Sequence, residues 1–302
     1  MKSIIFFGEC MIELRQATDG SLIQSFAGDV YNAAVYLKRL NPDISTSIAT
    51  CLGQDKLSEA MIGAFKAESI DTNLVLIDEV KSPGLYWIHT DECGERSFTY
   101  WRDDSAAKQA VAYFRTEYIE QLTQTDVFFF SGISLAVIAK PLREKFWETI
   151  EILKSAGVKI VFDPNYRPKI WSSIDDTVAQ YEKAFSAADV ALPGIEDMAM
   201  LYGINNAPDT INFFEPYGIE ELIIKDGPNS VHVIHADTHY QIPITPVKTV
   251  VDTTSAGDSF NGAYLGARLN GASIEVSVNA SALMAGIVIQ HPGAIIPLDA
   301  HQ

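Results

Sequence analysis

A run of small residues near the C-terminal end of the chain has the side-chain types that phosphoryl transfer needs. Ser255, Ala256 and Gly257 carry little bulk, so a ligand could approach the backbone N–H groups where the following apolar pattern predicts a helix. Those N–H groups and the helix dipole favour an anion. Asp258 follows in the first helical turn, where we expect its carboxylate to stay ionised at neutral pH. A carboxylate base beside an anion site suits transfer of a phosphoryl group to a hydroxyl.

The same segment has a simpler interpretation as an ordinary turn capped by an acid. However, Asp252-Thr253-Thr254-Ser255-Ala256-Gly257-Asp258 resembles the D-T-T-[GA]-A-G-D signature of the ribokinase-like (PfkB) carbohydrate kinases and departs from it at Ser255. In that family the second aspartate is the general base, and the neighbouring N–H groups stabilise the transferring phosphoryl group. The resemblance therefore implies that Asp258 is catalytic, with Ser255, Ala256 and Gly257 forming the phosphoryl site.

A second segment, Ala27-Gly28-Asp29-Val30-Tyr31-Asn32-Ala33, begins a predicted helix with groups suited to a sugar. Asp29 could simply be the N-cap of that helix. The segment resembles the G-G-x-x-x-N signature of the same family, with Ala27 in place of the first glycine. Since carboxylate and amide oxygens accept hydrogen bonds from hydroxyls, the resemblance implies that Gly28, Asp29 and Asn32 approach the sugar.

Two arginines stand out in this acidic chain. Arg102 ends an aromatic strand, and Arg167 follows a strand end bounded by prolines. Each could form an ordinary surface ion pair, or the two could clamp a carboxylate or phosphate. Several segments resemble the sugar-acid kinases of the family, and the resemblance implies that Tyr86, Tyr100, Arg102 and Arg167 bind the substrate. The segments are Gly8–Leu14, Pro83–Tyr86, Gly94–Arg102, Ser131–Ala136, Asn165–Pro168 and Gly293–Pro297.

The resemblance also implies where the nucleotide and the cations bind. Lys225 lies in a Lys-x-Gly turn that borders the nucleotide in the family, although a surface lysine is the simpler interpretation. Gly194-Ile195-Glu196-Asp197 departs from the N-x-x-E magnesium motif, so Asp197 or Glu196 would orient hydrated Mg²⁺ through water. Asp252 and Thr254 would offer oxygens to a monovalent cation such as K⁺. The expected nucleotide contacts are Asn165, Arg167, Lys225, Gly227, Ser255, Ala256, Gly257, Asn279 and Ala282.

The resemblance to the sugar-acid kinases of the family implies phosphorylation of 2-keto-3-deoxygluconate at its C6 hydroxyl with MgATP. A kinase of the same family acting on a neutral ketose such as fructose, or on a nucleoside, is an alternative. A non-catalytic sugar-binding regulator built on the same fold is a third hypothesis. Asp258 and the small residues before it argue against a regulator, because a protein that only binds does not need a base.

The elements that must position these residues alternate along the chain. Short strands between helical stretches predict βαβ units on a mostly parallel sheet, which binds ligands beyond the carboxyl ends of its strands. The predicted strands are Ile4–Phe7, Ser45–Cys51, Val127–Ser131, Val158–Asp163, Val190–Leu192 and Leu222–Lys225. The predicted helices are Asp29–Leu40, Leu57–Ser69, Leu142–Ser155, Thr177–Ala187 and Ser273–Gln290, besides the one that begins near Ala256.

Two regions, about 12–27 and 84–102, break this alternation. Short strands there, including a hairpin around Asp91-Glu92-Cys93-Gly94, predict a small β-sheet. Ribokinase-like enzymes carry such a sheet as a lid, and the resemblance implies the same here. We therefore expect one ribokinase-like α/β domain over residues 1–302 with this lid, which could also join two copies of the chain into a homo-oligomer.

Composition limits the partners. The chain has 302 residues, of which 47% are hydrophobic and 20% charged, as in globular proteins. The net charge of -17 argues against nucleic acids and anionic membranes as partners. Three scattered cysteines, with no signal peptide or membrane span in view, predict a reduced, cytoplasmic protein. P-loop and Rossmann glycine motifs are missing from the sequence, so the expected partners, ATP and a sugar acid, need another phosphate site.

Overall fold

The computed structural model describes residues 2–17, 19–90 and 96–301. The strands are β1 (Ser3–Phe7), β2 (Met11–Gln16), β3 (Leu22–Ala27), β4 (Ser45–Leu52), β5 (Val75–Ile77), β6 (Leu85–Thr90), β7 (Arg96–Trp101), β8 (Val127–Ser131), β9 (Lys159–Asp163), β10 (Val190–Ala191), β11 (Glu221–Asp226), β12 (Ser230–His235) and β13 (Thr238–Pro243). The helices are α1 (Asp29–Leu40), α2 (Lys56–Ala67), α3 (Thr116–Leu122), α4 (Gly132–Val137), α5 (Arg143–Ser155), α6 (Ile174–Ala187), α7 (Ile195–Tyr202), α8 (Ala207–Phe214), α9 (Ala256–Leu269) and α10 (Ile274–Val288). Short 3₁₀ segments lie at Ala106–Tyr113, Lys140–Leu142, Pro168–Ile170, Glu215–Tyr217 and Leu298–His301.

The main sheet has nine strands in the described part of the chain, in the order β13-β12-β11-β10-β9-β8-β1-β4-β5. The strands from β11 through β5 pair in parallel. Their carboxyl ends therefore meet at one edge, as expected for a sheet built from βαβ units. This mostly parallel sheet flanked by helices confirms the predicted α/β class.

Helices cover both faces of the sheet, which explains why its strands are almost continuously apolar. Phe128 and Phe130 on β8 face one core, which α3, α5, α6 and α8 complete. Phe129 faces the other core, together with α1, α2, α9 and α10. Packing of α9 between α1 and α10 brings the N-terminal turns of α1 and α9 to the same edge of the sheet as the strand ends.

The small predicted sheet is also present, and we call it the lid. It has four strands among the described residues, in the order β3-β2-β6-β7, and β6 pairs antiparallel with β7. The hairpin residues Asp91–Gly94 lie outside the described residues. Of the lid side chains, Phe98, Tyr100 and Trp101 on β7 are exposed.

Sequence reasoning missed the antiparallel edge of the main sheet. β12 and β13 form a hairpin whose turn residues, Ala236 and Asp237, both have positive φ angles. Positive φ angles at both turn residues are typical of two-residue hairpin loops, whose backbone twist matches that of the flanking strands. The alternation of Val231 and Val233 with histidines before the turn was the available signal.

Local sequence explains most helix boundaries. Asp55, Ser173 and Ser273 are N-caps whose side chains accept backbone N–H groups at the starts of α2, α6 and α10. Gly203 ends α7 in the left-handed conformation. In the described residues, no helix combines the length and apolar character needed to cross a lipid bilayer.

Candidate active site

Five polar side chains from distant parts of the chain meet at the carboxyl edge of the sheet. Asp163 ends β9, and Asn165 follows it in the same turn. Asp29 begins α1, Asp258 lies in the first turn of α9, and Lys225 lies near the end of β11. Hydrogen bonds and electrostatic interactions connect these residues, so the fold brings the two sequence signatures and the Lys-x-Gly turn to one site.

Asn32 connects the N-terminal signature to Asp258. Its side-chain amide nitrogen donates to Asp258 Oδ2 at 2.8 Å, and its amide oxygen accepts the backbone N–H of Gly28 at 3.3 Å. Gly28 is the N-cap of α1, which rules out the alternative of Asp29 as the cap. Asp29 instead accepts a hydrogen bond from the Asn165 side chain at 3.1 Å.

The carboxyl group of Asp258 is unusually basic. Burial, followed by the charge of Asp29, raises its pKa from 3.8 to about 7, although the hydrogen bond from Asn32 lowers it. Burial also raises the pKa of Asp29, with Asp163 adding to the effect. With this pKa Asp258 is only about half ionised at neutral pH, less than the sequence-based expectation, because burial and the charge of Asp29 oppose its ionisation. A group with this pKa is well matched to accept a proton near neutral pH.

The backbone of residues 255–257, which we call the anion cradle, begins α9. Ser255 adopts the left-handed conformation with φ of 64°, so the segment is not the ordinary turn of the simpler interpretation. The Ser255 hydroxyl is buried and has no hydrogen-bond partner among the described residues. At Gly257 a Cβ atom would lie 3.9 Å from Lys225 Nζ, so the lysine ammonium group is close to the cradle.

Lys225 is not a surface lysine. Its Nζ donates to Asp163 Oδ1 at 3.3 Å and to Asn261 Oδ1 at 3.1 Å, and the side chain is 17% exposed. Asn261 also donates to Asp163 Oδ2 at 2.8 Å. Sequence analysis assigned no role to Asp163 or Asn261. The available signal for Asn261 was its position three residues after Asp258, since residues at that spacing share one helix face.

Arg167 and Asp197 form a second polar pair at the site. Asp197 Oδ1 accepts the backbone N–H of Tyr166 at 2.9 Å and lies 3.7 Å from Arg167 Nη1. The Arg167 side chain is 55% exposed, which leaves it accessible to a ligand. Burial and the charge of Asp163 raise the pKa of Asp197 to about 6, against the opposing charges of Lys225 and Arg167.

Two buried carboxylates hold the lid residues predicted to bind substrate. Arg102 donates to Glu9, and the hydroxyl of Tyr86 donates to Glu13. The Tyr86 hydroxyl is therefore engaged within the lid. Tyr100 is 47% exposed, and its partial burial raises its pKa while the charges of Arg102 and Arg167 lower it. Both arginines therefore act electrostatically on Tyr100.

The remaining predicted residues differ in burial and in their partners. Gly227 follows β11 in an exposed turn, and Asn279 is exposed on α10, whereas Ala282 is half-buried against the core. Asp252 is buried and accepts hydrogen bonds from Thr254 and from the backbone N–H of Gly293 at 2.7 Å. Asp252 therefore joins the anion-cradle loop to the C-terminal loop.

Comparison with known sequences covers the whole chain. The pfkB family carbohydrate kinase profile matches residues 1–301. A 2-dehydro-3-deoxygluconokinase of Haemophilus influenzae is 41% identical over 303 residues, covering 98% of this chain and 96% of that protein. A 2-dehydro-3-deoxygluconokinase of Dickeya dadantii is 38% identical, covering 99% of this chain and 98% of the relative.

Solved structures share the fold at lower sequence identity. A PfkB protein from Polaromonas has a TM-score of 0.84 and 23% identity, covering 96% of each chain. A 2-dehydro-3-deoxygluconokinase from Thermotoga maritima has a TM-score of 0.82 and 20% identity, covering 98% of this chain and 94% of that structure. At these identities the likeness establishes the fold, including the lid.

Proposed function

Because this chain belongs to the pfkB family of carbohydrate kinases, we propose that it transfers the terminal phosphoryl group of ATP to the C6 hydroxyl of 2-keto-3-deoxygluconate, also called 2-dehydro-3-deoxygluconate. The observation that carries this proposal is the 41% and 38% identity, over nearly the full chain, to relatives with that activity in their names. The site supports it with a buried base beside an anion cradle and two arginines at the lid.

Asp258 is the proposed general base. It removes the proton from the attacking hydroxyl, and Asn32 fixes its carboxylate through the 2.8 Å hydrogen bond. The N–H groups of the anion cradle stabilise negative charge on the transferring phosphoryl group, helped by the ammonium group of Lys225. Gly28 and Asp29 lie beside the base, where they can orient sugar hydroxyls. Closure of the lid would exclude water that competes with the sugar as acceptor.

Carboxylate recognition is assigned to Arg102 and Arg167. A guanidinium group matches a carboxylate through paired charge-assisted hydrogen bonds. The charges of both arginines act on Tyr100, and the ring of Tyr86 lies 5.8 Å from that of Tyr100. Each arginine has a carboxylate neighbour, Glu9 or Asp197, and retains further N–H donors that a substrate carboxylate could accept, which favours a sugar acid over a ketose.

The nucleotide would bind along the cradle, with its phosphates near Lys225, Arg167 and Asn165. Gly227, Asn279 and Ala282 would lie toward the base and ribose. The cradle fits a phosphate because backbone N–H groups at a helix start suit anions and Lys225 supplies a nearby positive charge. Mg²⁺ would neutralise the phosphates, and Asp197 is the carboxylate we assign to orient its water ligands.

A monovalent cation such as K⁺ would bind near Asp252 and Thr254. Asp252 already bridges two loops beside the anion cradle, so a cation there would stabilise the loop that carries the base. Dependence of turnover on K⁺, compared with Na⁺ at equal ionic strength, tests this part of the proposal.

We also propose that the protein is cytoplasmic, where its free, buried thiols Cys10 and Cys51 would stay reduced. A homo-oligomer through the lid would cover the exposed aromatic side chains of Phe98, Tyr100 and Trp101. Sedimentation equilibrium tests this: we expect a dimer that Trp101→Lys weakens. A wild-type protein that stays monomeric at high concentration would contradict the assembly.

A panel of acceptors tests the activity itself. The purified protein is incubated with MgATP and 2-keto-3-deoxygluconate, gluconate, fructose or a nucleoside, and ADP release and the phosphorylated product are measured. We expect the highest kcat/KM for 2-keto-3-deoxygluconate, with phosphate on C6. Preferential use of fructose or of a nucleoside would contradict the substrate, and phosphorylation of none would contradict kinase activity.

A further inference from the structure

The chain passes between the main sheet and the lid at four places, and all of them lie against Glu9. Glu9 itself is in the connection from β1 to β2. Its backbone carbonyl occupies the space where Gly28, between β3 and α1, would carry a Cβ atom. A Cβ at Gly84, just before β6, would lie 2.7 Å from Glu9 Oε1 and 3.1 Å from the Cβ of Arg102, which follows β7. Larger side chains at these two glycines would therefore displace Glu9.

The Glu9 carboxylate is buried and its two oxygens have different partners. Glu9 is 2% exposed. Its Oε1 accepts the hydroxyl of Ser105 at 2.6 Å, and its Oε2 accepts Nη2 of Arg102. The Arg102 side chain is 10% exposed, so the pair lies in a largely water-free environment where geometry is strongly constrained.

This pairing leaves Arg102 able to bind a second acceptor. A guanidinium group has several N–H donors along its edges, and one carboxylate oxygen does not use them all. Without Glu9, the long Arg102 side chain would lose the contact that fixes its orientation. A preorganised arginine loses less conformational entropy when it binds a carboxylate than one that must be ordered by the ligand.

We propose that Glu9 is a positioning residue that holds Arg102 at the junction of lid and main sheet, in the orientation that recognises the carboxylate of the substrate. This role rests on the proposed function. Glu9 does not touch the substrate, and it contributes to sugar-acid affinity only through Arg102. Ser105 has a smaller part in the same arrangement, because it fixes the second oxygen of the Glu9 carboxylate.

A double-mutant cycle separates this role from a purely structural one. Glu9→Gln, Arg102→Leu and the double variant are compared for KM and kcat with 2-keto-3-deoxygluconate and MgATP. We expect Glu9→Gln to raise KM by roughly 10- to 50-fold with kcat changed by less than about threefold. In the Arg102→Leu background the same substitution should change KM by less than about twofold, because its partner is gone. Effects that multiply in the double variant would overturn the proposal.

Glu13→Gln is the matched control, since Glu13 is also a buried lid carboxylate, bonded by Ser25 and Tyr86 but not by Arg102. Its effect on KM should persist unchanged in the Arg102→Leu background. If Glu9→Gln does not fold, Ser105→Ala decides: we expect KM to rise about threefold, and only when Arg102 is present. An unchanged KM in folded Ser105→Ala would then overturn the proposal. A wild-type protein inactive on the sugar acid would instead overturn the proposed function, and this role with it.

Discussion

At the scale of single residues, the site depends on how Asp258 is kept both basic and oriented. Burial and the charge of Asp29 oppose its ionisation, whereas Asn32 donates a hydrogen bond that favours the carboxylate. This balance gives the proposed base a pKa of about 7, close to neutral pH. An ordinary aspartate would be ionised at that pH but would be a weaker base.

Replacing Asp258 by Asn keeps the size of the side chain and removes the base. We expect kcat to fall by about 100-fold or more, with sugar-acid binding changed little. Turnover under saturating substrates and binding by calorimetry measure the two quantities. Near-normal turnover in the folded variant would show that Asp258 is not the base.

The same substitution should alter stability in a pH-dependent way. The pKa of Asp258 is raised in the folded state, so its ionisation destabilises the protein increasingly as pH rises from about 4 towards about 7. Asp258→Asn cannot ionise. The variant should therefore gain stability relative to wild type above neutral pH and lose that advantage towards pH 4, as urea unfolding at several pH values would measure. An advantage independent of pH would contradict this account.

The pH dependence of activity follows from the same pKa. Since the base must be ionised, kcat/KM should fall as pH decreases through about 7. Asp29→Asn removes the neighbouring charge that raises the pKa of Asp258 most. The fall of kcat/KM on the acidic side should therefore move to lower pH, whatever the effect of the substitution on the maximal rate. Asp43→Asn, which removes an exposed carboxylate, is the control and should leave this fall at the same pH. A fall that does not move in Asp29→Asn would exclude Asp29 as a cause of the shift.

Comparing acid and neutral substrates distinguishes loss of carboxylate recognition by the two arginines from general damage to the site. Replacing Arg102 or Arg167 by Leu should lower kcat/KM for the sugar acid by roughly 30- to 150-fold, since a charge-assisted contact is worth about 2–3 kcal/mol. A neutral ketose that the enzyme accepts should be affected much less. Equal losses for acid and neutral substrates would argue against carboxylate recognition.

At the scale of elements, the start of α9 has a strained backbone conformation at the anion cradle. The anion cradle needs a left-handed residue at position 255, where the family signature has a smaller residue and this chain has Ser. A non-glycine residue in that conformation costs about 1–2 kcal/mol. The buried hydroxyl of Ser255 adds a further cost, because no described residue pairs with it.

Ser255→Gly should therefore stabilise the folded protein. We expect the free energy of unfolding to rise by about 1 kcal/mol, because glycine adopts positive φ freely while losing some entropy on folding. Ala256→Gly is the matched control: Ala256 begins the helix itself, and the change should destabilise by about 0.5–1 kcal/mol. Denaturant unfolding measures both variants. Destabilisation by Ser255→Gly would mean that its hydroxyl has a stabilising partner.

At the scale of the whole molecule, the lid and the main sheet differ in how they are stabilised. β9 is buried on both faces, whereas β7 of the lid exposes large aromatic side chains. The connections between the lid and the main sheet meet at Glu9, and Ile12 and Leu85 of the lid pack against one core of the main sheet. The exposed face of β7 predicts local opening of the lid with a lower free energy than that of the sheet.

Hydrogen exchange tests this difference. Amides of Leu85–Thr90 and Arg96–Trp101 should exchange faster than those of Lys159–Asp163 in the unliganded protein. Saturating sugar acid should slow exchange in the lid, because Arg102 would then bind substrate as well as Glu9. Unchanged protection in both lid strands on substrate binding would contradict closure over the site.

The sequence by itself determined the fold class and predicted the candidate catalytic segments, because both depend on local patterns. Alternating strands and helices predicted the parallel sheet, and the spacing from Asp252 to Asp258 predicted an anion site with a base. α1 begins and ends where its pattern predicted, at Asp29 and Leu40. Such patterns can be recognised from sequence alone, since they involve residues close together in the chain.

Only the tertiary structure decided the environment of those residues. The pKa of Asp258 depends on its burial and on the charges of Asp29 and Asp163, and Arg102 is held by Glu9, 93 positions away in the sequence. Asn261 and Asp163 surround Lys225, which sequence alone left open as a surface residue. Desolvation and contacts between distant segments arise only when the chain is folded. Hence the sequence predicts which groups could do chemistry, and the fold sets their ionisation and orientation.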